Sequence, residues 1–204
     1  MSRNVPAALF IADHLALDFL NTGRFAIAAE EDWLGDGQHL LVWLGSAQLV
    51  PQEVLADWES RGERLLLDKI AGRARGLRRW LRDFVNAYQG QSLPPLEADV
   101  FGPLNEILRS DQRYIQLSAA ADNTGIALES AWQWHHPQSL LRPVAQQIAQ
   151  LVCEVDFARI KPCDRCGLLF VDRTRHQARR WCSMTTCGNR SKQATHRKRR
   201  KRRR

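Results

Sequence analysis

Apolar residues recur at three- and four-residue steps through the segment 63–88. This spacing places them on one face of a helix, so a long amphipathic helix is predicted there. Similar but shorter patterns predict helices at 40–44, from Pro51 onward, over 96–109 after two prolines, and over 137–160. The larger, N-terminal part of the chain is therefore predicted to be mainly helical.

Two stretches alternate apolar and polar residues, which is the pattern of a half-buried strand. They cover 114–118 and 125–134 and are separated by the turn sequence 122–125, so a small antiparallel sheet is predicted. Residues 8–22 are also apolar, but this run is too short for its period to separate strand from helix, and a strand is favoured. The predicted fold class is α+β.

Charge divides the chain near residue 160. Residues 161–204 contain sixteen Lys and Arg and two Asp, a formal charge of +14, so the remaining residues carry −6 of the chain's net +8. A chain of 204 residues is long enough for one ordinary core and a small appended module. We predict a first domain over 1–160 and a second over 161–204, divided at Lys161-Pro162. The local positive charge indicates a polyanionic partner.

The sequence shows no secretion signal and no run of about 18 apolar residues that could span a bilayer. A cytoplasmic protein with no membrane partner is therefore predicted. In a reducing compartment, closely spaced cysteine pairs serve more often as metal ligands or redox centres than as structural disulfides.

Four cysteines in the basic segment follow the spacing C-x2-C-x15-C-x4-C, and they are Cys163, Cys166, Cys182 and Cys187. Zn²⁺ prefers four tetrahedral ligands, and two short loops that supply two ligands each do so at low entropic cost. One structural zinc ion is therefore predicted. A redox role and replacement of one ligand by a nearby histidine are the alternatives. A catalytic zinc is not expected, since it would keep an open position and a carboxylate base nearby.

The residues around the cysteines predict a small, metal-built fold. Gly167 permits a tight turn after the first pair, because glycine adopts positive φ readily. Segments 168–171 and 179–181 are predicted to form the strands of a hairpin, and a helix is predicted to begin at the last cysteine. This order of knuckle, hairpin and helix is the plan of a treble-clef finger. Trp181 is expected to pack over the knuckle, with stacking on a nucleic-acid base as the alternative.

Basic and amide side chains are dense in and after this finger. If 187–204 is a helix, Ser191, Ala194 and Thr195 face the zinc core and the other polar residues face outward. Asn, Gln and Arg contact base edges of DNA, while Lys and Arg hold phosphates. The candidate nucleic-acid contacts are Arg173, Arg175, Arg179, Arg180, Asn189, Arg190, Lys192, Gln193, His196, Arg197, Arg199 and Arg200. The alternatives are a solvated face that binds any polyanion and, for the hairpin arginines, ion pairs to the acidic first domain.

A polar cluster follows the first apolar run. Its members Asp18, Asn21, Thr22 and Arg24 are candidate ligand-binding residues, with capping of a turn or helix as the alternative. The chain has no Gly-rich phosphate loop, nucleophile elbow or His-Glu-x-x-His helix, so an enzyme is not predicted. Cys153 lies in an apolar helical pattern and is predicted to be buried.

Two stretches resemble known families. Residues 180–190 read Arg-Trp-Cys-Ser-Met-Thr-Thr-Cys-Gly-Asn-Arg, and with Lys192 they resemble the CGNR zinc finger of bacterial transcription regulators. Residues 14–22, with Trp43-Leu44 downstream, are similar to the opening of the ABATE domain that precedes that finger. The resemblance implies zinc held by the four cysteines, DNA binding by the finger, and a stress- or ligand-responsive role for the first domain.

The leading interpretation is a transcription regulator whose finger binds double-stranded DNA and whose first domain responds to a small-molecule effector. A homodimer is a further expectation. One alternative is an RNA- or ribosome-associated zinc protein, because a basic helix binds structured RNA through its phosphates as readily. The other is a small-molecule-binding protein that uses the finger for assembly.

Overall fold

The computed structural model describes residues 8–23, 32–109, 113–120 and 125–202. Its α-helices are α1 (Leu15–Asn21), α2 (Gly37–Ser46), α3 (Gln52–Ser60), α4 (Arg64–Tyr88), α5 (Gly102–Leu108), α6 (Arg142–Glu154) and α7 (Asn189–Arg202). Short 3-10 turns cover Ala98–Phe101, Pro137–Leu141 and Phe157–Arg159, and a π turn covers Met184–Gly188. Helices α2 to α6 overlap the predicted helical segments, whereas α1 was not predicted.

The strands are β1 (Arg113–Ala119), β2 (Ile126–Trp132), β3 (Ile160–Pro162) and β4 (Leu169–Val171). They form two antiparallel sheets of two strands each. The chain is therefore α+β, as predicted. Among the helices that the structure describes, none is long and apolar enough to cross a membrane.

The long helix α4 is the centre of the helical part. Its buried apolar positions follow the predicted spacing, and it packs against α1 and α2. At the contact with α2, a Cβ on Gly37 would lie 2.3 Å from the Cβ of Leu67, so only glycine allows this close approach. The Gly37 N–H donates to Asp68 Oδ1 (2.8 Å), which ties the start of α2 to α4.

The first apolar run forms helix α1, so the strand favoured for residues 8–22 is wrong. Residues 16–21 of this helix are all buried. A helix buried on every side has no polar face, and its sequence lacks the period by which a helix is recognised. The Nδ1 of His14 accepts a hydrogen bond from the Ala16 N–H (3.2 Å) and caps the first turn.

Strands β1 and β2 form the predicted hairpin, in which Leu117 lies opposite Leu128. One face of this hairpin carries Ile115, Leu117, Ile126 and Leu128, each between 69% and 78% exposed. These four residues are termed the hairpin face. An isolated two-stranded sheet is marginally stable in water, and no other described segment covers this face.

The short sheet of β3 and β4 joins the finger to the helical part. Ile160 pairs with Val171, and both side chains are buried in the same core as α1, α4 and α6. Phe170, from the middle of β4, is fully buried there as well. The two parts of the chain thus pack together. The predicted domain boundary between residues 160 and 161 lies within β3 and stays a prediction.

Three details differ from the sequence-based expectations. Residues 179–181 form no strand, because the tight turn at Gly167 brings β3, the segment before the first cysteine pair, alongside β4. The helix expected over 137–160 is confined to α6, with 3-10 turns on either side. Cys153 is exposed, since it lies on the solvent side of α6.

Candidate metal centre and nucleic-acid interface

The zinc-binding cysteines come from three segments of the chain. Cys163 and Cys166 belong to the knuckle between β3 and β4, Cys182 lies in the loop that follows, and Cys187 lies in the π turn before α7. Their four Sγ atoms lie within 4.8 Å of one another, and two of the four residues are buried. The four cysteines are therefore positioned to bind one metal ion.

The spacing of the sulfurs fits zinc. With Zn–S bonds of about 2.3 Å, tetrahedral geometry puts neighbouring sulfurs about 3.8 Å apart. The Sγ of Cys182 lies 3.6 Å from that of Cys166 and 3.7 Å from that of Cys187. Four protein ligands complete the coordination shell, so such an ion has a structural role.

The backbone of the knuckle favours the thiolate form of Cys163. Gly167 has a φ of 73°, and its N–H donates to the carbonyl of Cys163 (2.9 Å). Burial raises the pKa of the Cys163 thiol, but backbone N–H groups, led by that of Cys166, outweigh burial and lower this pKa to about 7. Because zinc binds the thiolate, these donors support metal binding.

The turn that carries the last ligand explains the glycine of the Cys-Gly-Asn-Arg sequence. The carbonyl of Ser183 accepts hydrogen bonds from the N–H groups of Cys187 (3.0 Å) and Gly188 (3.1 Å). A Cβ on Gly188 would lie 2.5 Å from the Met184 sulfur and 3.4 Å from the Trp181 ring. Glycine at this position therefore allows Met184 and Trp181 to pack together beside the metal site.

A buried carboxylate that was not predicted from the sequence organises the loop before Cys182. Asp172 is 0% exposed and follows β4 directly. It accepts hydrogen bonds from the Thr174 hydroxyl (2.6 Å), the Arg179 N–H (2.9 Å) and Lys161 Nζ (3.1 Å). Burial raises its pKa, but these donors outweigh burial and lower the pKa to about 2. The Asp-x-Thr sequence is the local pattern from which this turn could have been predicted, because Asp side chains often accept hydrogen bonds from the residue two positions later.

Two of the candidate nucleic-acid contacts, Arg173 and Arg179, bind Asp13 of the first domain. Arg179 forms an ion pair with the Asp13 carboxylate, and its guanidinium lies 4.6 Å from the centroid of the Phe170 ring. Arg173 donates to the Asp13 carbonyl (3.1 Å). Asp13 has a φ of 58°, which is uncommon for a residue other than glycine. Ion pairing to the first domain, which was the alternative to nucleic-acid binding for the hairpin arginines, is therefore present at Arg179.

Arg173 is nevertheless exposed, as are the other two arginines of the loop, Arg175 and Arg180. The Nε of Arg180 lies 2.6 Å from Asp164 Oδ2, and both of these side chains are largely exposed. Exposed ion pairs contribute little to stability, so Arg180 can exchange this carboxylate for a phosphate at low cost.

Helix α7 begins at the metal site and extends away from it. Ser191 is half-buried, whereas Ala194 is exposed, so the contact expected for Ala194 is wrong. The side chain of Thr195 lies outside the described residues. Exposed side chains on this helix include those of Asn189, Arg190, Lys192, Gln193 and Arg197. The helix backbone continues through three more candidates, His196, Arg199 and Arg200, whose side chains lie outside the described residues.

The candidate ligand residues Asp18 and Thr22 are buried. Asp18 Oδ1 accepts hydrogen bonds from the N–H groups of Ile11 (2.9 Å) and Ala12 (3.0 Å). Burial raises the pKa of Asp18 to about 6, although these two donors act in the opposite direction. The Thr22 hydroxyl accepts from Arg78 (2.8 Å). Both side chains thus bind protein atoms.

Asn21, the third candidate, ties α1 to the finger. Its Nδ2 donates to the Leu169 carbonyl (2.9 Å), and its Oδ1 accepts from the Leu169 N–H (3.0 Å). The Ala12 carbonyl accepts from the Val171 N–H (2.9 Å). Strand β4 is therefore held by hydrogen bonds to Ala12, which precedes α1, and to Asn21, which lies at the end of α1. Arg24 lies outside the described residues, and a ligand-binding role for these candidates stays a prediction.

An aromatic cavity in the first domain was not predicted from the sequence. It has a volume of about 900 Å³ and lies between the α2–α3 connection and the base of the hairpin, where Tyr114, Trp132 and Trp134 line it. Glu53 from α3 lines it as well. Small-molecule sites have this size and combine aromatic with a few polar groups. No local motif joins these residues, because they come from distant parts of the sequence.

Two family matches cover most of the chain. Residues 13–155 match the ABATE family, described as a putative stress-induced transcription regulator. Residues 159–200 match the CGNR zinc finger family. Neither description names an enzyme, and a comparison with curated proteins found no match. Because the first match spans more than half of the chain, the protein belongs to the ABATE family, and a CGNR zinc finger follows its ABATE domain.

Proposed function

We propose that the protein is a transcription regulator that binds double-stranded DNA through α7 and the arginines of the loop between β4 and Cys182. The observation that carries this proposal is an exposed helix that begins at the metal site and bears basic and amide side chains. Residues 173–204 contain no acidic residue. A cytoplasmic location and the absence of catalytic activity belong to the same proposal.

The dimensions of α7 suit the major groove. Its 14 residues, at about 1.5 Å each, make a helix about 21 Å long. The major groove of B-DNA is about 12 Å wide and admits an α-helix. Gln193 and Arg197 are one turn apart on the same face, and these residue types form bidentate contacts with adenine and guanine. Asn189 is already engaged, since its Nδ2 donates to the Thr185 carbonyl (3.2 Å).

The first domain is the proposed sensor. The cavity lined by Tyr114, Trp132 and Trp134 supports this part of the proposal, because its aromatic surface and its volume suit a small organic effector. The contacts of Asp13 and Asn21 with the finger provide a physical route between the two parts. Helix α2 contributes Gly45 to the cavity and packs on α1 through Trp43 and Phe19, whose ring centroids are 5.4 Å apart. An effector that shifted α2 and α1 would change the positions of the arginines bound to Asp13.

A homodimer formed through the hairpin face is the proposed assembly. Each exposed Ile or Leu offers about 100 Å² of apolar surface, so two hairpin faces of four residues each would bury about 800 Å². A specific interface needs about 1,000 Å², which the edges of the hairpins would complete. A two-fold axis would also present two fingers to two half-sites. Sedimentation of the zinc-loaded protein beside Leu117→Lys tests this assembly, and a monomeric unsubstituted protein would contradict it.

Selection of genomic DNA fragments by the full-length, zinc-loaded protein tests DNA binding. We expect one recovered motif, bound about 10³-fold more tightly than random duplex at physiological salt. Gln193→Ala and Arg197→Ala should each lose about 1–3 kcal/mol of discrimination at one base pair. Leu65→Ala, at an exposed position on α4, is the matched control. Equal affinity for every duplex would contradict the proposal, and a preference for structured RNA would favour an RNA-associated protein.

A further inference from the structure

The finger has a groove beside the metal site that DNA contacts by α7 do not use. Its volume is about 410 Å³, at the lower end of the range for small-molecule sites. Trp181 and Met184 line one part of it, and the loop residues Arg175 and Arg180 line another. This space is termed the finger groove.

The floor of the finger groove is apolar and built into the fold. Met184 is 48% exposed, and Trp181 is half-buried beside it. Both side chains pack over Gly188, where a Cβ would collide with the Met184 sulfur at 2.5 Å. The glycine therefore leaves room for a thioether and an indole ring on the same side of the turn. Their surface suits a flat, apolar ring better than it suits water.

The rim of the finger groove is cationic. Arg175, His176 and Arg180 line it and are exposed. The Arg180 guanidinium lies 5.3 Å from the centroid of the Trp181 ring, at cation–π distance. Arg180 also neutralises the carboxylate of Asp164, which is the exposed acid of the knuckle. The rim thus favours an anionic partner, while the floor favours an aromatic one.

We propose that the finger groove binds one unpaired base of the DNA that α7 contacts. The inference rests on the proposed DNA binding and extends it. A nucleotide combines the two required properties: its base stacks against Trp181 and Met184, and its phosphates bind Arg175 and Arg180. The bases of intact B-DNA are stacked on one another and cannot reach this floor, so the base must leave the stack.

This arrangement makes the finger sensitive to the ease with which DNA opens. Unstacking a paired base costs free energy, and the cost is smallest for a bulged or mismatched base. Flexible pyrimidine–purine steps lower the cost within intact sequences. The finger groove therefore contributes selectivity for deformable sites in addition to any base reading by α7.

The test compares two DNA hairpins, one fully paired and one with the same sequence plus a single bulged 2-aminopurine. The full-length, zinc-loaded protein should bind the bulged DNA about tenfold more tightly, the effect of one stacked base. The 2-aminopurine fluorescence should be quenched on binding, because stacking quenches this base. Met184→Ala and Trp181→Phe should reduce the preference to about threefold or less and leave affinity for the paired hairpin unchanged.

Leu65→Ala is the matched control, since it removes an exposed aliphatic side chain on α4 without touching the finger. Zinc content, measured for every variant, verifies that the finger is folded. Equal affinity for the two hairpins without quenching would overturn the inference and leave DNA binding by α7 intact. An undiminished preference in both variants would also overturn it, because the base would then bind elsewhere. Tighter binding to an RNA hairpin with the same bulge would overturn the choice of DNA, and binding to neither DNA hairpin would contradict the proposed function itself.

Discussion

The helical part and the zinc finger are stabilised by different means. Helices α1 to α6 are held together because their apolar faces pack against one another, and the long helix α4 contributes an extended apolar face. The segment from Cys163 to Cys187 is ordered instead by four sulfurs and by the hydrogen bonds of Asp172. Its buried strand β4 lies on the core of the helical part. Because so short a segment cannot bury enough apolar area by itself, the finger depends on both the metal ion and its neighbour.

Loss of a zinc ligand should give the largest difference between the two regions, because it should disorder the finger and leave the helical part folded. In Cys163→Ser we expect loss of zinc and of order in the finger, because metal binding contributes about 10–16 kcal/mol in zinc-finger peptides. The helical part should keep its secondary structure. Metal analysis and region-resolved amide exchange measure both effects, and Cys153→Ser, which changes the exposed fifth cysteine, is the control. A zinc-free finger that kept its protection from exchange would show that the neighbouring core suffices.

Removal of the buried carboxylate should have the next largest effect. Asp172→Asn should destabilise the finger by about 2–3 kcal/mol, because Lys161 and the Arg179 N–H lose a charged acceptor in a buried site. Asp164→Asn, which removes an exposed ion pair, should cost less than about 1 kcal/mol. Urea unfolding at pH 7 with a probe in the finger compares the two variants. Equal costs would mean that the network around Asp172 does not order the loop.

Acid should act on the two regions in opposite directions. The pKa of Asp172 is lowered to about 2, so the stability that its carboxylate contributes is lost as pH falls from about 4 to 2. The pKa of Asp18 is raised to about 6, so its ionisation costs stability as pH rises from about 4 to 6. Urea unfolding across this range should show that Asp18→Asn removes only the upper slope. An unchanged upper slope in that variant would assign it to another group.

The smallest predicted difference distinguishes two arginines in one loop. Both side chains are exposed, and Arg173 also donates a hydrogen bond to the Asp13 carbonyl. If Arg175 binds a DNA phosphate, Arg175→Ala should lower the slope of log affinity against log salt by about 0.9. Arg173→Ala should leave that slope unchanged. Titrations at several salt concentrations measure both, and a reduced slope for Arg173→Ala would show that DNA displaces its contact with the first domain.

Features that depend on neighbouring residues could be predicted from the sequence. Helix α4 follows a period of 3.6 residues, and the β1–β2 hairpin follows alternation around a turn. The four zinc ligands could be identified because two closely spaced cysteine pairs supply all four of them. Each of these patterns is complete within a short stretch of chain.

Features that depend on distant partners could not be predicted in this way. The ion pair between Asp13 and Arg179 joins residues 166 positions apart, and no local pattern indicates it. Asn21 was interpretable only as a polar residue after an apolar run, since its partner Leu169 lies 148 positions away. For the segment of α1, the sequence pattern could not separate strand from helix and only favoured a strand, because burial on all sides removes the polar face that reveals a helix.

The hydrogen bonds between Asn21 of α1 and β4 also set an order of events during synthesis. Translation produces α1 before β4, and Asn21 has no Leu169 to bind until 148 more residues have been added. The core therefore closes late, in the same step that delivers the cysteine knuckle. A chain that stops before β4 leaves Asn21 without this partner and the apolar surface around it open, which makes incomplete products targets for proteolysis.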